Sequence, residues 1–139
     1  MPNSSITRKP SRAKLKKLIT SQKSITGSFS PTMSDVVYWY DYLNVLLFKN
    51  ELPELNQIEI RDFRDFWAEA YCEQDGEKVK NSLRIEKDFN TFKQFLEVLA
   101  HEMVHIWEFK NFGRMGHAKR FKSWEAKFKP VGLDLFVTL

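Results

Sequence analysis

His101-Glu102-Met103-Val104-His105 lies inside a run of good helix formers, and its reading decides the fold. Residues four apart on a helix stand one turn above each other, so His101 and His105 can hold one ion between their rings. Glu102, between them, points near the same edge. Hydrolysis at a zinc ion needs such a set: two neutral imidazoles, a third ligand, an open position for water, and a carboxylate to take the water's proton. His117, beyond a turn punctuated by Gly113 and Gly116, is the candidate third ligand. The chain has 3 histidines, and all of them fall in this constellation.

Two rival readings compete with it. His101 and His105 could be core histidines paired with Glu97 or Glu108, a reading that His117 weakens by supplying the missing ligand. Glu108, three residues after His105, competes with His117 for the third position. It sits beyond the pair along the helix axis, which suits it better to orienting an imidazole than to closing the site. Glu102 is the candidate general base, accepting the water proton and returning it to the leaving amine.

The motif helix begins at Asn90 or Thr91, where Thr91 and Gln94 match a capping box, and ends near Phe112 before Gly113. Phe92, Phe95, Leu96, Leu99, Met103, Ile106 and Trp107 form its buried stripe. Upstream, Ser34 or Asp35 caps a helix running to about Lys49, with Val36, Trp39, Tyr40, Leu43, Leu46 and Leu47 at helical spacing. Pro53 ends that segment. Three stretches of strand character follow: residues 57–61, 66–73 and 82–87. In the second, Phe66, Ala68, Ala70 and Cys72 alternate with Trp67, Glu69 and Tyr71. A last helix spans about 118–128, stopped before Pro130. The pattern predicts an α+β fold: an N-terminal helix, a small, mostly antiparallel three-stranded sheet, the HExxH helix and a C-terminal helix.

A chain of 139 residues, 42% of them hydrophobic, builds one core. Its single cysteine, Cys72, excludes an internal disulfide or a thiolate zinc ribbon, and its place on an alternating apolar face reads as packing. Trp67, Tyr71, Trp107 and Trp124 read as core before they read as stacking platforms. No apolar run reaches the roughly 18–20 residues that span a bilayer, so the expectation is a soluble cytoplasmic protein without membrane contact.

The formal charge of +4 is unevenly distributed. Residues 1–34 carry Arg8, Lys9, Arg12, Lys14, Lys16, Lys17 and Lys23 and no acid, residues 35–105 are net acidic, and residues 106–130 are basic again. The composition of residues 1–33 predicts a disordered basic arm that buries too little surface to order itself, with Ala13 to Ile19 able to form a short basic helix on a partner. Arg8, Lys9, Arg12, Lys14, Lys16 and Lys17 are its candidate nucleic-acid contacts, binding DNA phosphates without reading sequence. A solubilising tail is the plainer alternative.

Over about residues 35–130 the chain resembles the SprT-like zinc metallopeptidases, the group of bacterial SprT proteins and the Spartan protease core. The resemblance rests on Phe48-Lys49-Asn50-Glu51-Leu52-Pro53, the strand from Ala68 to Cys72, the HEMVH helix, and Phe112-Gly113-Arg114 leading to Gly116-His117-Ala118-Lys119. It implies a compact zincin-like domain over 34–139, a minimal version without the zinc ribbon of many bacterial relatives. It also implies one zinc ion on His101, His105 and His117, Glu102 as catalytic base, and a protein or peptide substrate, in Spartan-type relatives one attached to DNA. The alternative function is a non-catalytic, zinc-containing module that binds nucleic acid or a host partner.

Overall fold

The structure, a computed structural model, describes residues 10–136. Its elements in chain order are α1 (Arg12–Ile19), α2 (Gln22–Thr26), α3 (Met33–Phe48), β1 (Gln57–Arg61), β2 (Ala68–Asp75), β3 (Lys78–Glu86), α4 (Phe92–Phe112), α5 (Lys119–Lys122) and α6 (Glu125–Phe128), then a 3-10 turn, Lys129–Val131. The α+β class holds. Among the described residues no helix is long and apolar enough to cross a membrane.

α4 is the centre of the molecule. Thr91 caps it by accepting from Gln94 N–H at 3.0 Å, while the Gln94 side chain reaches back to Asn90 N–H at 2.8 Å, one residue earlier than a standard box. Gly113 stops it at φ +74°, a left-handed conformation that a side chain disfavours. Residues 95–106 are buried on every side, with Leu96, Leu99, Ala100, Met103 and Val104 fully enclosed. A helix surrounded in this way has no wet face, so each polar side chain on it must find a partner within the protein.

The sheet order is β1-β3-β2. β2 and β3 form an antiparallel hairpin through a turn in which Gly76 takes φ +64°. β1 pairs with β3 in parallel, Gln57 beside Ser82 and Arg61 beside Glu86, so the sheet is mixed rather than mostly antiparallel. The cause is the segment between β1 and β2. It does not turn back as a hairpin but crosses the end of the sheet, anchored where Phe63 N–H donates to the buried Glu86 at 3.2 Å. β1 therefore lands on the far side of β3. Ala70, Leu83 and Ile85 face α4 from this sheet.

α3 is capped by Thr32, not by Ser34 or Asp35; Asp35 completes the box by accepting Thr32 N–H at 2.9 Å. Its C-terminal turn is tied down by Asn44, which pairs both backbone groups of Leu52 at 3.1 Å.

The expected disorder of residues 1–33 is overturned for residues 12–26, which form α1 and α2. Leu15 and Ile19, four apart, are 1% and 0% exposed, and they pack by the 3-10 turn near Gly132. Ser11 and Ser21 cap the two helices, and Ser24 Oγ donates to Leu18 O at 2.6 Å. Two well-placed apolar residues and local caps outweigh the charge that suggested a free arm. The expected C-terminal helix is two short ones, α5 and α6, interrupted at Ser123 and Trp124. Trp124 turns inward there and stacks on Phe48 at 4.4 Å between ring centroids.

Candidate metal centre

Four buried polar side chains share one face of α4: Glu97, His101, His105 and Glu108. His117 comes from the loop between α4 and α5 and, unlike the other two histidines, is exposed. The three rings converge through their Nε2 atoms, which are 3.2 Å (His101–His105), 3.0 Å (His105–His117) and 3.3 Å (His101–His117) apart. Phe121, fully buried on α5 and four residues beyond His117, lies against all three, stacking on His105 at 4.9 Å between centroids.

The Nδ1 partners fix the protonation of two of these rings. His101 Nδ1 meets the Phe136 carbonyl at 2.8 Å, and His105 Nδ1 meets Glu108 Oε1 at 3.0 Å. Both partners accept, so in each neutral ring the proton sits on Nδ1 and Nε2 carries a lone pair. Burial, together with the neighbouring histidines, pushes the His101 pKa down to about 3. Burial also lowers His105, against the opposing pull of Glu108. The lone pairs of neutral rings therefore point at one another across about 3 Å of low-dielectric space, an arrangement that a cation resolves. A tetrahedral ion with bonds of about 2.0–2.1 Å to nitrogen spaces its ligand atoms roughly 3.3 Å apart, and these three atoms fit that spacing. The cluster could hold one metal ion.

Glu102 completes the group. Its Oε1 accepts the Ala70 N–H of β2 at 2.7 Å, and its Oε2 is 3.8 Å from His101 Nε2. Burial pushes its carboxyl up to about 8, the Ala70 hydrogen bond opposes that rise and the charge of Glu69 adds to it. A cation at the three nitrogens would draw it back down. Glu108, 2% exposed, also accepts Gly116 N–H at 3.3 Å, so one carboxylate orients His105 and steadies the loop that carries His117.

Sequence reasoning missed the Ala70 amide, the Phe136 carbonyl and Phe121. The first two are backbone groups that no residue letter announces. Phe121 had one signal, its helical spacing from His117. Of the candidate nucleic-acid contacts, Arg12, Lys14, Lys16 and Lys17 are exposed on α1, and Arg8 and Lys9 lie outside the described residues. Glu108 pairs with His105, as the rival reading required, whereas Glu97 pairs with Lys93, at 2.9 Å, and not with a histidine. The half-buried Cys72 thiol is pushed up to about 11 by burial, which leaves it a packing residue.

The family model described as the SprT-like family matches residues 38–138. No curated protein and no solved structure matches the chain.

Proposed function

Since this chain belongs to the SprT-like family, we propose that it is a zinc-dependent endopeptidase acting on extended protein segments. The observation that carries the reading is the convergence of three Nε2 atoms beside a carboxylate pinned by a strand amide. His101, His105 and His117 are the residues that hold the ion. Zinc, when bound there, supplies Lewis acidity toward a scissile carbonyl and toward water. Glu102 then has a divided task. Oε1 is occupied by Ala70 N–H, so Oε2 is the oxygen that takes the water's proton and delivers it to the leaving amine. Burial, by raising the proton affinity of this carboxyl, suits it to the first half of that task, and a bound cation, by lowering that affinity again, eases the second.

The same strand supplies a place for the substrate. Glu86 N–H donates to Trp67 O at 2.8 Å, and the β2–β3 register runs on from that pair. By alternation, Glu69, Tyr71 and Glu73 bond to β3, whereas the backbone groups of Ala68, Ala70 and Cys72 point to the other edge. Among the described residues no strand occupies that edge. An extended peptide adds to it beside Glu102, read through its main chain, so selectivity for sequence is low. The exposed cations of α1 then restrain the enzyme by holding it on DNA, near DNA-associated protein substrates.

The test is chelator-sensitive cleavage of an unfolded protein by the zinc-loaded chain, with and without DNA. Glu102→Gln should retain one zinc per chain and lose cleavage by about 100-fold or more. Undiminished cleavage by that variant would refute the role of Glu102.

A further inference from the structure

The segment 133–136 leaves the 3-10 turn and runs back along α4 as a strap. Leu133 is buried, and beyond it the strap is fastened at two points. Asp134 N–H donates to Glu97 Oε2 at 2.7 Å, and Lys93 Nζ bonds both Glu97 Oε2, at 2.9 Å, and Asp134 Oδ2, at 3.0 Å. Two residues further on, the Phe136 carbonyl accepts from His101 Nδ1 at 2.8 Å. Glu97 lies one helical turn before His101 on the same face of α4, so the first fastening sets the second.

His101 has two neutral forms to choose between. With the proton on Nδ1, the ring bonds Phe136 O and turns a lone pair toward His105 and His117. With the proton on Nε2, it would instead donate to His105 Nε2 at 3.2 Å or His117 Nε2 at 3.3 Å. The second form satisfies the triad internally and blocks it to a metal. A buried Nδ1–H without an acceptor is costly, so the occupancy of the first form depends on the carbonyl being there. We propose that the strap is a working part of the metal centre, with Lys93, Glu97 and Asp134 clamping the Phe136 carbonyl where it selects the metal-ready tautomer of His101. Glu97 and Lys93 are then positioning residues, distant from the ion. The inference rests on the reading of His101 as a metal ligand.

The experiment compares the full chain with Glu97→Ala, Glu97→Gln, Lys93→Ala and, as a control on the same helix, Thr91→Ala. Zinc affinity is measured by competition with a chromophoric chelator, and the His101 tautomer of the stripped protein by long-range 1H–15N correlation spectra. Glu97→Ala should weaken zinc binding about 10- to 100-fold and bring Nε2-protonated His101 into the spectrum. Glu97→Gln, which keeps an acceptor for Asp134 N–H, should recover most of the affinity, and Lys93→Ala should fall between. Thr91→Ala should lower the melting temperature and leave affinity and tautomer as they were. A folded Glu97→Ala protein with wild-type zinc affinity and an unchanged tautomer overturns the proposal; if it does not fold, the same result with Lys93→Ala does. If the wild-type chain binds no zinc, the ligand reading falls, and the tautomer comparison still decides whether the strap governs His101.

Discussion

At the scale of single residues, the stability of the metal-free chain should record the unusual protonation of its centre. The His101 pKa is lowered from 6.5 to about 3, so the unfolded chain binds the extra proton between those values and folding is favoured as pH rises through that window. Glu102 is raised from 4.5 to about 8, so the folded chain holds the extra proton and stability is lost as pH rises through that second window. The two oppose each other between 4.5 and 6.5; below it the rise prevails, with the lowered His105 adding to it, and above it the fall from Glu102 prevails. Melting temperature of the stripped protein should therefore peak in that interval and fall on both sides, each group contributing at most about 1.4 kcal/mol per pH unit. Glu102→Gln should remove the fall above 6.5, let stability keep rising between 4.5 and 6.5, and leave the acid side below 4.5 as it was. An alkaline fall identical in that variant would show that Glu102 is not the group responsible.

The same scale shows why part of the site was legible and part was not. His101, Glu102 and His105 are read from helical spacing alone, because the geometry of an α-helix ties i to i+4. His117 needed a turn to bring it back, and Gly113 and Gly116 marked one. The groups that orient the centre, Ala70 N–H and Phe136 O, belong to every residue equally. Only the fold selects which amide and which carbonyl arrive there.

At the scale of elements, local signals carried well and long-range pairing did not. β1 spans the expected Gln57–Arg61, and α4 has its expected cap and its expected glycine stop. The parallel partnership of β1 with β3 depends on where the 62–67 segment crosses, which no alternation pattern encodes. The docking of α1 on the body was hidden for a different reason: its four cations dominate its composition, while its packing rests on Leu15 and Ile19. A free arm and a docked helix make different predictions for Leu15→Ala. Removal of a side chain that is 1% exposed should cost about 2–5 kcal/mol in denaturant unfolding. A change under about 0.5 kcal/mol would mean that α1 does not contribute to the fold.

At the scale of the whole molecule, the docking of α1 changes how the chain would meet DNA. Arg12, Lys14, Lys16 and Lys17 project from a helix fixed to the body, so their positions relative to the metal centre are set by the fold and not by a tether. Replacing all four with Gln leaves Leu15 and Ile19 in place and should preserve folding. The slope of log affinity against log salt should fall by about 2–4 if these cations meet phosphates, and an unchanged slope would rule them out as the anchor. Cleavage of DNA-free substrate should be untouched, separating localisation from chemistry.

The exposure of His117 bears on how a metal ion would come and go. Two of the three imidazoles belong to a helix enclosed on all sides, and helices of that kind open only when the whole protein does. The third stands at the surface, on a loop that the Gly116 N–H fastens to Glu108 at 3.3 Å and that Met115 packs against the core. An ion held by the three rings would then exchange through movement of that loop sooner than through global unfolding. Emptied of such an ion, the two helix-borne rings would keep their places, and His117 would be the one ligand left to return.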